Sequence, residues 1–394
     1  MLLGICLPAG NSGSSGAWAR PSDWISLPSV DATVEKFAGI FAVFDTESEF
    51  VAFTATGNYT VDWGDGSATE NINSGVTAQH QYTYATISAT TLSALGYKQV
   101  AITIVPQAGA HLSTVDLNKR HSSASAQVQN TGWLDITCSC YASSTGGLMV
   151  GGSALVIRSN ILERATIYNG ALRTSTAYMF YACSALQSVP LFNTASVTTM
   201  AYMFSSCYGL HSVPLFNTAS VTTMASMFAA CSALQSVPLF NTASVTTMAS
   251  MFANCYGLHS VPLFNTASVT TMASMFANCY VLQTVPLFNT ASVTTMASMF
   301  SACFSIKIIE AFVLSSLTTT TSMLNNAISL SKALFTNINV SFSVANLNLS
   351  AAALNEIFNN LPTVVGQTIT ITGCYGAATC DQTIATGKGY TVIN

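Results

Sequence analysis

The sequence predicts a mainly β chain with short helices: a small β-sandwich, then a solenoid of 24-residue coils, then a C-terminal α+β cap. Three observations predict it. One 24-residue phrase recurs from Cys183 to Cys303. Ahead of it, short segments alternate apolar and polar residues. Behind it, the repeat decays into a helix and a strand.

The phrase is C-x-x-L-x-S-V-P-L-F-N-T-A-S-V-T-T-M-A-S-M-F-x-x-C, copied almost verbatim. Its cysteines fall at Cys183, Cys207, Cys231, Cys255, Cys279 and Cys303, and its prolines at Pro190, Pro214, Pro238, Pro262 and Pro286. A fixed period of this length marks coils that bury each other's apolar edges. Within one copy, Val221, Met224, Met227, Phe228 and Cys231 have helical spacing, with Ser220 placed to cap the first turn. Leu210 to Phe216 reads as a short strand interrupted by Pro214. Two phases fit that strand. If it is regular, Phe192, Phe216, Phe240, Phe264 and Phe288 form an exposed ladder; if a bulge follows the proline, they turn inward. The cysteines sit beside Phe and Met at the end of the apolar stripe, which predicts buried, reduced thiols.

The order C-x-x-L-x-x-V-P and the phrase V-T-T-M-x-x-M-F-x-x-C resemble the BspA-like leucine-rich repeat surface proteins, over about residues 150–345. The resemblance implies one strand and one short helix per coil, with the phenylalanines buried. The chain departs from that family in charge: between Arg173 and Lys307 there is no Asp, Glu, Lys or Arg. Nucleic-acid binding needs a basic footprint, and none exists there. An uncharged polar surface also lacks the repulsion that keeps copies apart. Such a surface either packs on neighbouring subunits or meets neutral glycan.

Taken in order, residues 1–42 form a Gly/Ser-rich arm carrying Trp18 and Trp24, which either dock on another surface or cover the first domain's edge. The opening residues are too short, and lack the basic start, for a secretory leader. Residues 43–106 alternate as a sandwich does at 50–54, 59–63 and 99–104. There, Asp62-Trp63-Gly64-Asp65-Gly66, followed by His80 and Tyr82, resembles the PKD domain, which implies an immunoglobulin-like sandwich. Asp62 and Asp65 read as caps for turn amides in preference to a Ca²⁺ site. Residues 107–150 are a connection with Cys138 and Cys140, whose spacing from His111 and His121 does not suit zinc. The solenoid is assigned to 151–345, with degenerate first coils as a cap, and the terminal unit to 346–394. That unit has a capped helix at 349–362 and resembles the ends of leucine-rich repeat proteins of tailed bacteriophages. Cys374 and Cys380 are either a local disulfide or reduced.

No G-x-S-x-G, H-E-x-x-H, carboxylate pair or phosphate loop is present, so no enzyme, cofactor or metal is expected. Nothing approaches a membrane-spanning apolar run. Two positions vary while the frame holds: Ser184, Tyr208, Ser232, Tyr256 and Tyr280 after the cysteine, then Gln187, His211, Gln235, His259 and Gln283. They read either as drift or as a binding stripe of Tyr208, His211, Tyr256, His259, Tyr280 and Gln283, chemistry suited to neutral sugars or a neighbouring subunit. The expected role is a structural or host-recognition protein of a virion, of fibre or decoration type, as a homo-oligomer that meets a host glycan or protein. The other reading is a bacterial cell-surface adhesin or extracellular filament protein.

Overall fold

The computed structural model describes residues 19–45, 49–123, 129–140, 147–150, 157–158, 161–168 and 173–394. The chain divides into two compact units, Met1–Ser196 with Ser206–Phe216, and Val197–Ser205 with Asn217–Asn394. Each carries coils of β-solenoid type, about nine turns in all.

The first unit holds a two-sheet sandwich. Its strands are β1 (Lys36–Val43), β2 (Glu49–Thr56), β3 (Tyr59–Asp62), β4 (Glu70–Ile72), β5 (Thr77–Tyr82), β6 (Lys98–Pro106) and β7 (Thr114–Asp116). The short β8 (Gln129–Asn130), β9 (Trp133–Ser139), β10 (Gly147–Met149), β11 (Ile157–Arg158) and β12 (Arg164–Tyr168) follow. One sheet runs β12-β9-β1-β6-β3-β4 and the other β10-β7-β2-β5, with β11 beside β8. The sandwich therefore takes in strands on both sides of 43–106, because β1 is hydrogen-bonded between β6 and β9. Trp133 anchors the core, meeting Phe37 and Phe41 edge-on at 5.3 and 5.2 Å. In the β3–β4 turn, Gly64 and Gly66 take φ of +75° and +87°. Asp62 Oδ1 accepts from the Gly64 amide, and Asp65 from Ser67 and His80, so both carboxylates serve the turn. The parallel strand β12 then bridges from Arg164 to Ser188, carrying the sheet into the first coils.

The coils of the second unit correct the helical expectation. From Met224 to Cys231 the chain makes successive tight turns. Met227 donates to the Met224 carbonyl and Cys231 to that of Phe228. Ser226 and Ala230 sit at φ of 54° and 61°. A left-handed residue every four positions breaks a helix and frees alternate amides to point along the solenoid axis. Met224, Ser226, Phe228 and Ala230 donate instead to Thr247, Ala249, Met251 and Ala253 of the next coil. A turn of four residues places apolar side chains at nearly the spacing of a 3.6-residue helix, so the sequence pattern mimicked one.

The core is stacked coil on coil. Phe204, Phe228, Phe252, Phe276 and Phe300 lie face to face, 5.7 to 5.8 Å apart. Below each, a cysteine thiol donates to a backbone carbonyl, as Cys231 does to Phe204 and Cys255 to Phe228. All ten described cysteines are free thiols. Threonine supplies a polar ladder that the sequence reading missed. Thr218, Thr242 and Thr266 are buried, and each Oγ1 donates to an Asn carbonyl in the next coil at 2.8 Å.

The repeat ends in β13 (Ile308–Val313) paired in parallel with β14 (Lys332–Thr336). A cap follows: helix α1 (Ala351–Asn359), a parallel sheet of β15 (Phe342–Ser343), β16 (Gln367–Thr370) and β17 (Tyr390–Ile393), and the short α2 (Thr383–Thr386). Ser350 Oγ caps α1 by accepting from Ala353, and Leu354, Ile357 and Phe358 bury its inner face. No helix among the described residues is long and apolar enough to cross a membrane.

Candidate binding face of the solenoid

One segment of each coil, such as 256–263, carries the residues of interest. It begins just after the cysteine and ends at the V-P-L-F turn. In that turn the Phe264 amide donates to the Pro262 carbonyl two residues back, at 2.9 Å. This tight turn is the bulge that rotates Phe264 inward, leaving it 2 % exposed. It rotates Leu263 outward, to 58 % exposure. Phe216, Phe240 and Phe288 repeat the geometry. The phenylalanine ladder is therefore the buried one, and the exposed row is leucine. In the second unit that row is Leu239, Leu263 and Leu287, each more than half exposed; in the first, Leu191 and Leu215 are exposed in the same way.

At the other end of the segment the structure places the predicted stripe at the surface. Tyr208, Tyr256 and Tyr280 are exposed, and so are His211, His259 and Gln283. In the second unit, Tyr256 stacks on Tyr280 at 4.7 Å and Tyr280 on Phe304 at 5.0 Å, giving a stack of three rings. Phe304 was missed, although it lies 24 residues after Tyr280 and is in phase with it. The stack uses ring faces on neighbouring rings and turns edges and the tyrosine hydroxyls to solvent.

Backbone bonds tie these segments from coil to coil. His211 and His259 donate their amides to Gln187 and Gln235, and Gly209 and Gly257 to Ser184 and Ser232. A Cβ on Gly257 would lie 2.7 Å from the Ser232 carbonyl oxygen. Glycine at 257 thus lets this coil sit closely on the Ser232 backbone, while the side chains of Tyr256 and His259 stay exposed. Between the leucine row and the positions after the cysteine lie only Gly, Ala, Leu, His, Gln, Ser, Thr, Val and Pro. A shallow groove of about 570 Å³ near the cap shares this neutrality, lined by Thr319, Thr321, Ser341, Ser343, Gln367 and their neighbours.

Trp24 takes the second of its two readings, as cover for the first domain, and not that of an attachment arm. It is buried in a cluster with Ile40, Ala42, Tyr97 and Leu134, and its Nε1 donates to the Tyr97 hydroxyl at 3.0 Å. Arg20 ties the arm to Asp135, and Gln99 bonds both Ile25 and Asp23. The ring covers the outer face of β1, where Ile40 and Ala42 need a partner, and so it is not offered to another surface. Trp18 lies outside the described residues.

Among the described residues no group of three or more His, Cys, Asp or Glu side chains could hold a metal ion. Residues 174–280, 235–338 and 259–360 each match the profile of a family described as "Mycoplasma protein of unknown function, DUF285". These matches cover the coils and leave the sandwich unmatched. Together with the β-solenoid they are compatible with a BspA-like repeat protein. No curated protein matches the chain.

Proposed function

We propose that this chain is a non-enzymatic assembly and recognition protein whose working surface is the uncharged solenoid face. It associates there with further copies of itself and meets a neutral host surface, as a fibre or decoration protein of a virion. The observation that carries this reading is the row Leu239, Leu263 and Leu287, held more than half exposed coil after coil. Single exposed leucines are ordinary, but a row in register is an apolar patch of the kind that marks an interaction surface. The absence of charge between Arg173 and Lys307 removes the desolvation penalty that would oppose its burial. The resemblance of residues 346–394 to terminal units of phage repeat proteins supports the virion setting.

A second reading, a bacterial surface adhesin or extracellular filament protein, is favoured by the match to a family described from Mycoplasma. It uses the same face. The test is the triple change of Leu239, Leu263 and Leu287 to Ser, followed by light scattering and electron microscopy of native particles. The wild type should self-associate and the variant remain monomeric with an unchanged circular dichroism spectrum. Equal association of both would sink the proposal, and labelling of virions or of cell surfaces separates the two settings.

A further inference from the structure

Cys138 lies near the end of β9, and Cys140 follows that strand's last residue, Ser139. Residues two apart on an extended strand share a face, and here both side chains are buried with their Sγ atoms 3.0 Å apart. That is closer than non-bonded sulfurs ordinarily approach and about 1 Å beyond the ~2.05 Å of a bonded pair. By contrast, Cys207, Cys231, Cys255, Cys279 and Cys303 each donate to a phenylalanine carbonyl. Cys374 and Cys380 donate to Val344 and Ala377 respectively. Only at Cys138 and Cys140, among these thiols, do two sulfurs face each other.

A second observation concerns the cation beside them. Arg173 is 4 % exposed, and its Nη1 meets the Met179 thioether at 2.9 Å. The contact of Cys138 with Cys140, and then burial, hold the Cys138 thiol well above its ordinary range, while the Arg173 guanidinium pulls weakly the other way. Burial in the folded sheet thus disfavours the thiolate, and thiol–disulfide chemistry at this pair belongs to the chain before the sheet closes.

We propose that Cys138 and Cys140 are a redox-active dithiol that closes to a disulfide with a small disulfide oxidant of the oxidised-glutathione type. The Cys140 thiolate, just past the strand end, attacks one sulfur of the oxidant and expels the first thiolate. The Cys138 thiolate then attacks Cys140 Sγ in the mixed disulfide and expels the second. Two thiol protons and two electrons leave the protein with two molecules of reduced thiol. The site is buried, so the bond forms as the chain folds, before the sheet closes over it. Its place is where β9 and β12 pass into the first coils, beside the bond from the Val150 amide to the Met179 carbonyl. So short a ring removes little unfolded-state entropy, which makes thiol counting a better readout than melting temperature.

The experiment refolds the full chain in a buffer of oxidised and reduced glutathione, alkylates it under denaturing conditions without reductant, and maps the peptides by mass spectrometry. Nine of the eleven cysteines should be alkylated, with the peptide spanning Cys138 and Cys140 two hydrogens lighter and unmodified. Cys138→Ser should leave Cys140 carrying glutathione, because the resolving thiol is gone, and Cys374→Ser should leave the pair closed. Full alkylation of Cys138 and Cys140 in chain refolded to the native circular dichroism spectrum overturns the proposal. A disulfide found only between Cys374 and Cys380 overturns it as well.

Discussion

Phe264 and Leu263 are neighbours in sequence with opposite environments, and replacing each tests the turn that separates them. Phe264 is 2 % exposed and stacks at 6.4 Å on both Phe252 and Phe288. Phe264→Ala removes a ring that the stacked coils cannot close over, a cost of about 3–5 kcal/mol. Because coils contact only their neighbours, that loss falls on the adjoining interfaces. For a unit of this size about 4 kcal/mol lowers the melting transition by roughly 10 °C. Leu263→Ala, at a side chain 58 % exposed, should stay within about 0.5 kcal/mol of the wild type. The assay is urea denaturation of both variants followed by circular dichroism. A loss under about 1 kcal/mol for Phe264→Ala with a larger loss for Leu263→Ala would refute the inward rotation at the Pro262 turn.

Gly257→Ala should destabilise by about 1–3 kcal/mol, since its Cβ would press on the Ser232 carbonyl; the denaturant midpoint reads it. Burial pushes the Cys255 and Cys303 thiols up to about 12, whereas unfolded cysteine titrates near ~8.5. The unfolded chain loses these protons first, so stability is full below about pH 8.5 and falls as pH climbs towards 12. Denaturant midpoints from pH 7 to 10.5 should trace that decline, and the double change of Cys255 and Cys303 to Ala should flatten it. Changing Tyr208, Tyr256 and Tyr280 to Ser should weaken association or attachment while leaving secondary structure unchanged. If both survive, the stripe has no role in contact.

The period, the buried cysteines and the alternating strands were legible because each is a local pattern with one physical cause. A 24-residue repeat admits little except stacked coils, and a cysteine between Phe and Met on an apolar stripe has nowhere polar to go. The turns were not legible. Ser226 and Ala230 give no sign of left-handed backbone, as a glycine would, because hydrogen bonds to the next coil impose it on them. The outward leucines stayed open for a related reason: Pro262 permits a bulge without requiring it, and only the bond from the Phe264 amide to the Pro262 carbonyl decides the phase. The burial of Thr218 depends on an Asn carbonyl 23 residues later, and that of Trp24 on a partner 73 residues away. Phe304, in contrast, was within reach of a strict count of phase.

The tyrosine stack bears on which occupant the face suits. A sugar that packs on an aromatic side chain uses the flat π-face of the ring. Tyr280 has Tyr256 on one side at 4.7 Å and Phe304 on the other at 5.0 Å, so neither of its faces is free. What the stack offers is a strip of ring edges and two hydroxyls, at one end of the segment whose other end carries the leucines. That combination of flat apolar rows with hydrogen-bonding groups between them resembles the centre of a protein interface more than a sugar cleft. A second copy of the chain brings rows with the same coil spacing, so that every leucine meets an apolar partner along the whole contact. Neutral glycan would find ring faces only at the two ends of the stack, on Tyr256 and Phe304, with His259, Gln283 and the hydroxyls between them. The covered faces of Tyr280 and the leucine row support the self-association proposed for this face.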